Sequence, residues 1–411
     1  MTKPLRIVDL TNGWAGPLGT CLLADFGAEV IKVESPSHMD WWRGAGLQGT
    51  TDGPKLYEQS PTFNTVNRNK YGIALELTHP RGRALFKDLI RVSDVLVANY
   101  PLRSLRKLGI DHQALSAVNP RLVMVTLPAF GGSGPDSEYV GFGCTTEALA
   151  GITGVSGYED GPPQMLSNAI GDPGTALNNC FAVLVGLFEQ ERTGHGVAID
   201  LSHVEGLLPM NAEALLEYTI NSRVQRQRGN RHPTMAPHGC YSCKGDDEWV
   251  VIAVASDTQW EKFRQALGDP AWAQEKKLTT QAGRKAAEDE LDRHITAWTR
   301  EHEHHEVMEI LQTAGVAAGA VLSGTEILSD AHIAAREFLL AIDKAEAGTH
   351  LYPGFVPFFQ PSPSALRMPA PCFGEHNEYV FGTILGLPTA EIEELTKERI
   401  ISSEPIFPAL G

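Results

Sequence analysis

Two periods of apolar and polar positions alternate along the first half of the chain. The short, nearly unbroken apolar runs LRIVDLT, EVIKVE, DVLVAN, LVMVTLP and VAIDLS read as buried strands. Between them, GPLGTCLLADFG, RGRALFKDLIRVS, LRSLRKLG and HQALSAV repeat their apolar residues at helical spacing. Such alternation predicts an α/β fold, with a mainly parallel sheet covered by helices. A longer helix is predicted after Asp172-Pro173, from Phe181, Val183, Leu184, Leu187 and Phe188, with Gly194 and Gly196 closing it. SHVEGLLPMNAEALLEYTIN reads as one more helix.

The pattern breaks at RVQRQRGNRHPTMAPHG, a candidate domain crossing. Beyond it, CYSCKGDDEWVVIAVAS predicts a hairpin turning at Gly245–Asp247. The amphipathic segments DTQWEKFRQALG, GRKAAEDELDRHITAWTR and EHEHHEVMEILQTAG follow and complete a smaller α+β unit. The proline- and aromatic-rich stretch from Leu351 to Pro388 suits a surface excursion returning to another part of the molecule.

Composition narrows the classes of function. A chain of 411 residues can bury a large core and divide into two domains or more. A formal charge of −16 excludes a general polyanion binder, so no nucleic-acid partner is expected, while a local basic pocket for a small phosphorylated ligand stays open. The apolar stretches are too short to cross a bilayer, and MTKPLRIVDLT lacks a signal-peptide core. Six mostly isolated cysteines suit a reducing compartment, so a cytoplasmic location is expected. Cys240 and Cys243 lack a second pair and read as packing thiols. His302 and His305, one helical turn apart, read as the polar start of an amphipathic helix rather than a metal site.

Three groups of residues carry candidate chemistry. Asp172 has two readings: an N-cap carboxylate ahead of Pro173, or a reactive carboxylate that Gly171 and Gly174 leave uncrowded for a substrate. Gly13, Gly16 and Gly19 follow the first strand, and Glu34 ends the second, a superficial likeness to a dinucleotide-binding unit. Their G-x-x-G-x-x-G spacing favours a tight strand–helix turn instead. Finally, Arg43, the Asn67–Lys70 stretch, Asn99, Tyr100, Arg103, Arg106 and Lys107 sit where loops of a doubly wound sheet converge. There they offer an aromatic face for a base and cations for phosphates.

With these residues laid out, the chain resembles the family III CoA-transferases. The likeness is carried by VDLTNGWAGPLGTCLLADFGAEVIKVESP, NRNKYGIALELTHPRGRALFKDLI, SDVLVANYPLRSLRKLGI, FGGSGP, GDPGTALNNCFAVLVGLFEQERTGHGVAIDLS and FGEHNEYVFGTILGL, in family order over essentially the whole chain. The resemblance implies a Rossmann-like large domain formed by 1–220 and 325–411, a small α+β domain at 221–324, and an interlocked homodimer. It implies Asp172 as the catalytic residue and Trp14, Arg43, Lys70, Asn99, Tyr100 and Lys107 as contacts to coenzyme A. Acyl-CoA and a small carboxylic acid would be the substrates, with no metal or redox cofactor, and with a related second subunit as a further possible partner.

Departures from the family pattern are informative. Ser35 stands where formyl-CoA transferase has an arginine beside the adenine, and GNRHPTMAPHG replaces its glycine-rich flap. Phe142 occupies the place of the histidine base of the related racemases, which counts against a racemase or isomerase. A nicotinamide-dependent oxidoreductase and a non-catalytic transferase subunit are the remaining alternatives. The stretches GFGCTTEALAGITG and LEYTIN look most like members that handle aryl- or alkyl-substituted succinates.

Overall fold

Six parallel strands form the central sheet of the computed structural model, which describes residues 4–44, 55–166, 169–357, 359–361 and 366–406. They are β1 (Arg6–Leu10), β2 (Glu29–Glu34), β3 (Lys70–Ala74), β4 (Val95–Ala98), β5 (Val123–Thr126) and β6 (Ala198–Asp200). Their spatial order is β3-β2-β1-β4-β5-β6, with every neighbouring pair parallel. This is the doubly wound arrangement, and its order reverses between β1 and β4. Ligands of such sheets bind outside the carboxyl ends of the strands at that reversal.

Strands covered on both faces need apolar residues at successive positions. β1 supplies them, Val8 and Leu10 to one layer and Ile7 to the other. The first layer packs on Leu85, Phe86, Leu89 and Ile90 of the Pro80–Arg91 helix and on Val380, Phe381 and Leu395 from the tail. The second packs on Leu23 and Ala24 of the Ala15–Asp25 helix and on Ala182 and Val183 of the Gly171–Thr193 helix. These last two helices approach closely because Gly19 has no side chain: a Cβ there would lie 2.5 Å from Asn179 Nδ2.

The chain divides into two compact units, 1–153 with 165–223 and 337–411, and 154–164 with 224–336. The second unit has an antiparallel sheet of β7 (His238–Ser242), β8 (Trp249–Ala253) and β9 (Ala317–Ala320), with the expected hairpin between β7 and β8. Helices Asp257–Ala266, Glu288–Thr299 and His304–Thr313 bury Trp260, Phe263, Leu291, Ile295, Val307 and Leu311 around it. In the first unit, the tail forms the hairpin β10 (Leu339–Lys344) and β11 (Gly348–Pro353). It then returns to the β3 edge, where Asn69 Oδ1 accepts a 2.7 Å bond from the Arg367 amide.

Two expectations about elements are corrected. SHVEGLLPMNAEALLEYTIN forms two helices, His203–Leu207 and Ala212–Asn221, because a tight turn containing Pro209 intervenes. The helix expected to begin with the histidine cluster starts at His304, which leaves His302 outside it and paired with Glu306 at 3.0 Å. Ser167 and Asn168, which open the stretch around Asp172, lie outside the described residues.

Candidate active site

A cavity of about 260 Å³ opens at the sheet's reversal point. Asn12, Gly13 and Trp14 line it after β1, Asn99 and Tyr100 after β4, and Leu127 and Pro128 after β5. Phe142, Asp172 and His203 line it as well. The β1 and β4 loops are tied together: the Asn12 amide donates to Asn99 Oδ1 at 3.0 Å, and Asn99 Nδ2 returns a 2.8 Å bond to the Asn12 carbonyl. Asn12 Nδ2 also donates to the Tyr100 hydroxyl at 2.7 Å. A second, mainly apolar cavity lies along the same edge of the sheet, lined by Leu10, Val33, Ser35, Leu75, Tyr100 and Leu105. Tyr100 is a wall of both.

Asp172 sits in the first turn of the Gly171–Thr193 helix, whose N-cap position is Ile170. The expected N-cap role is therefore corrected: the helix starts two residues earlier, and the carboxylate is freed from capping to face the cavity. The backbone just before it is tight, with Ala169 at φ +34°. Gly171 and Gly174 do not make the room beside the carboxylate. A Cβ on Gly171 would strike the Gly143 carbonyl at 2.8 Å, and one on Gly174 would meet Met210 at 3.0 Å, so both serve packing. The space belongs to Gly143, where a Cβ would lie 2.7 Å from Asp172 Oδ2.

Burial, and then the neighbouring Glu147 carboxylate, raise the Asp172 pKa to about 6. A helix N-terminus favours an anion, yet here burial outweighs it. Asp172 stays predominantly ionised at neutral pH, as a poised rather than a strongly stabilised anion. Glu147 is fully buried, and its Oε1 accepts a 3.0 Å bond from the Gly171 amide, anchoring the helix start that carries Asp172.

The other expected site residues divide into two sets. Trp14, Asn99 and Tyr100 line the cavity with Asp172. Arg43 does not: it is fully buried, with its guanidinium 2.9 Å from Glu34 and 2.7 Å from Glu58, and it donates to the Pro371 carbonyl at 3.1 Å. Lys70 is likewise internal, 2.9 Å from Asp9 Oδ2 and bonded to the Pro17 carbonyl and Asn67. Burial alone would raise the Asp9 pKa, but Lys70 and Lys32 outweigh it and hold the group lower. Both expected ligand contacts are thus corrected to structural cations, since their donors are used inside the protein. Lys107 is exposed on the Leu102–Leu108 helix, which follows Tyr100 after the single residue Pro101.

Glu34, the acidic residue of the dinucleotide reading, is consumed by Arg43. Gly16 packs against Thr11, where a Cβ would come within 2.4 Å of the Thr11 Cβ, as a tight strand–helix turn requires. Gly143, Glu147 and His203 escaped the sequence reading as individual site residues. The first two lie within a stretch read only for its likeness, and His203 lies in a segment read only as a helix, where Ser202 Oγ accepts from the Glu205 amide.

Sequence and fold both match known proteins. The family model described as "CoA-transferase family III" matches residues 3–377. The succinyl-CoA–D-citramalate CoA-transferase of Chloroflexus aurantiacus is 32% identical over 397 residues, covering 97% of each chain. The succinyl-CoA–L-malate CoA-transferase beta subunit of the same organism is 32% identical over 400 residues, again covering 97% of each. Among solved structures, a CAIB/BAIF family protein from Brucella suis superposes with a TM-score of 0.83 at 27% identity, covering 92% of this chain and 98% of its own.

Proposed function

The chain belongs to CoA-transferase family III and is an enzyme that transfers CoA; from that premise we propose that Asp172 is the nucleophile of a transfer from succinyl-CoA to a substituted succinate. The observation that carries this reading is the Asp172 carboxylate, part-buried in the cavity at the sheet's reversal point, with Gly143 clearing space beside it. The acceptor class draws on the two relatives, whose names specify citramalate and malate, both substituted succinates.

In the first step an Asp172 oxygen attacks the donor thioester carbonyl. The C–S bond breaks, CoA leaves as its thiolate, and a mixed anhydride remains on Asp172. The thiolate then attacks the aspartyl carbonyl, releasing the donor acid as a carboxylate and leaving an aspartyl-CoA thioester. The acceptor carboxylate attacks that thioester, giving a second anhydride and the thiolate. Attack of the thiolate on the acceptor's acyl carbon forms the new acyl-CoA and regenerates the Asp172 carboxylate. A nucleophile with a pKa near 6 suits this sequence, being ionised at neutral pH yet more reactive than a fully solvated carboxylate. Confinement within the cavity supplies the proximity that a carboxylate needs against a thioester.

Coenzyme A would run from the Asp172 cavity past Tyr100 into the second cavity, with Trp14, Asn99 and Tyr100 against it and Lys107 near its phosphates. Ser35 favours a neutral contact to the adenine: its hydroxyl is engaged with Glu76 at 2.8 Å. Self-association into a homodimer is supported by the exposed side chains of Leu177, Phe181, Leu184 and Phe188 on the Asp172 helix, a patch of the kind that marks an interface. The relative named as a beta subunit makes a related second chain the alternative partner. Six free thiols are consistent with a cytoplasmic setting, and no helix among the described residues is long and apolar enough to cross a membrane.

The test is incubation of the purified chain with succinyl-CoA and a panel of carboxylic acids. Mass spectrometry should find a new acyl-CoA and, on quenching, CoA mass on the peptide containing Asp172. Transfer retained by Asp172→Ala would overturn the assignment.

A further inference from the structure

His203 opens the His203–Leu207 helix and lines the same cavity as Asp172. It is 8% exposed; the Leu127 carbonyl faces one side of the ring, and neither ring nitrogen makes a well-aligned hydrogen bond among the described residues. Buried imidazoles normally satisfy at least one nitrogen, because an unmade bond forfeits the solvation lost on burial. A buried ring with an unpaired nitrogen on the wall of a substrate cavity is therefore a group awaiting a partner.

The kind of partner follows from the ring's protonation. Burial pushes the His203 pKa down to about 4, against the opposing pull of a hydrogen bond towards the Leu127 carbonyl. The ring is neutral at physiological pH and offers one N–H and one lone pair. The Leu127 carbonyl, itself an acceptor, favours the proton on the nitrogen nearer to it. The other nitrogen then presents a lone pair. That lone pair accepts from an alcohol and repels a carboxylate.

We propose that His203 is a specificity-determining residue of the acceptor site, accepting a hydrogen bond from a hydroxyl on the incoming acid, so that hydroxy acids are the preferred acceptors. The proposal deepens the transfer reading and rests on it. Discrimination arises because an acid without the hydroxyl leaves the second ring nitrogen of His203 unpaired, a loss that an apolar contact does not recover.

The experiment compares acceptors matched except for the hydroxyl, citramalate and 2-methylsuccinate, with succinyl-CoA as donor. The readout is the ratio of their kcat/KM values in the wild type, His203→Leu and His203→Gln. The wild type should favour citramalate by about tenfold or more, the scale of one hydrogen bond to a buried polar group. His203→Leu should bring the ratio close to one, chiefly through citramalate. His203→Gln, which restores an acceptor, should recover part of the preference. Equal use of both acids by the wild type, or an unchanged ratio in His203→Leu, overturns the proposal. Should His203→Leu fail to fold, the glutamine variant and the wild-type ratio decide.

Absence of transfer to any acid would sink the transfer reading instead. The two acids are then compared by calorimetry on the wild type incubated with CoA. Tighter binding of citramalate supports a hydroxyl-reading His203, and equal affinity overturns it.

Discussion

Gly143 and Asp172 approach so closely that a Cβ on the glycine would lie 2.7 Å from Asp172 Oδ2 and 2.9 Å from its Cγ. Such a contact forces one partner to shift, and the carboxylate is the more mobile. Gly143→Ala should therefore displace Asp172 while leaving the helix in place. Transfer should fall about a hundredfold, the scale of a 1 Å misplacement of a reacting group, with little change in melting temperature. Steady-state kinetics with a thermal melt check this; near-normal turnover would show that the carboxylate tolerates the crowding.

The raised Asp172 pKa gives a signed prediction for stability. The folded state holds this proton more tightly than the unfolded chain, whose carboxyl titrates near 3.8. The resulting stabilisation is fully present below about pH 4 and is lost as pH rises through about 6. Asp172→Asn should thus abolish transfer yet be more stable than the wild type by ~1–2 kcal/mol at pH 7.5, with the gap closing towards pH 4. Chemical denaturation at the two pH values measures it. A variant less stable at both would show that the carboxylate does not strain the fold.

Activity should carry the same signature. In the wild type, kcat/KM should decline below about pH 6 as Asp172 protonates. Glu147→Gln removes a nearby negative charge and keeps an oxygen for the Gly171 amide, so the acid limb should move to lower pH. An unmoved limb would mean that burial alone sets the value.

The basic residues should separate by experiment. Lys70→Met strips Asp9 of its 2.9 Å partner and should cost about 3–5 kcal/mol of stability, as breaking a buried pair does. Lys107→Ala should leave the melting temperature alone and weaken CoA binding about tenfold. Calorimetric titration with CoA and thermal melts of both variants test the division, and the reverse pattern would return Lys70 to the ligand.

On the Asp172 helix, Phe181 and Phe188 are each 69% exposed. The double variant Phe181→Lys, Phe188→Glu should be a monomer in light scattering if this face joins two chains, because charge is depleted at interface cores. A dimer that survives the change would move the interface elsewhere.

The sheet was legible because strands covered on both faces are largely apolar, as β1 is at Ile7, Val8 and Leu10 and as β4 is along its length. The site was legible in part. Asn99 and Tyr100 follow β4 directly, so topology alone carries them to the reversal point. Arg43 and Lys70 misled because a cation's sequence neighbours do not disclose its distant partners: Glu58 lies fifteen positions from Arg43, and Asp9 sixty-one from Lys70. Gly143 and Glu147 reach Asp172 across a chain separation that no local period spans. His203 presents nothing in sequence beyond a helix start; its unpaired ring nitrogen exists only once the fold has buried it.

Tyr100 stands between two cavities, and this makes the site divisible for a chemist assembling inhibitors from fragments. A nucleotide piece, such as adenosine 3′,5′-bisphosphate, and a short acyl-pantetheine should each occupy their own end of the groove and bind side by side without competing. Joined, they should bind far more tightly than either alone, since the second half is then held at a high effective concentration. Replacing Tyr100 by alanine should weaken both fragments together, whereas changes at Leu75 or at Phe142 should affect one and spare the other. Competition calorimetry with the two halves would reveal whether this single phenol ring is the hinge of the ligand's footprint.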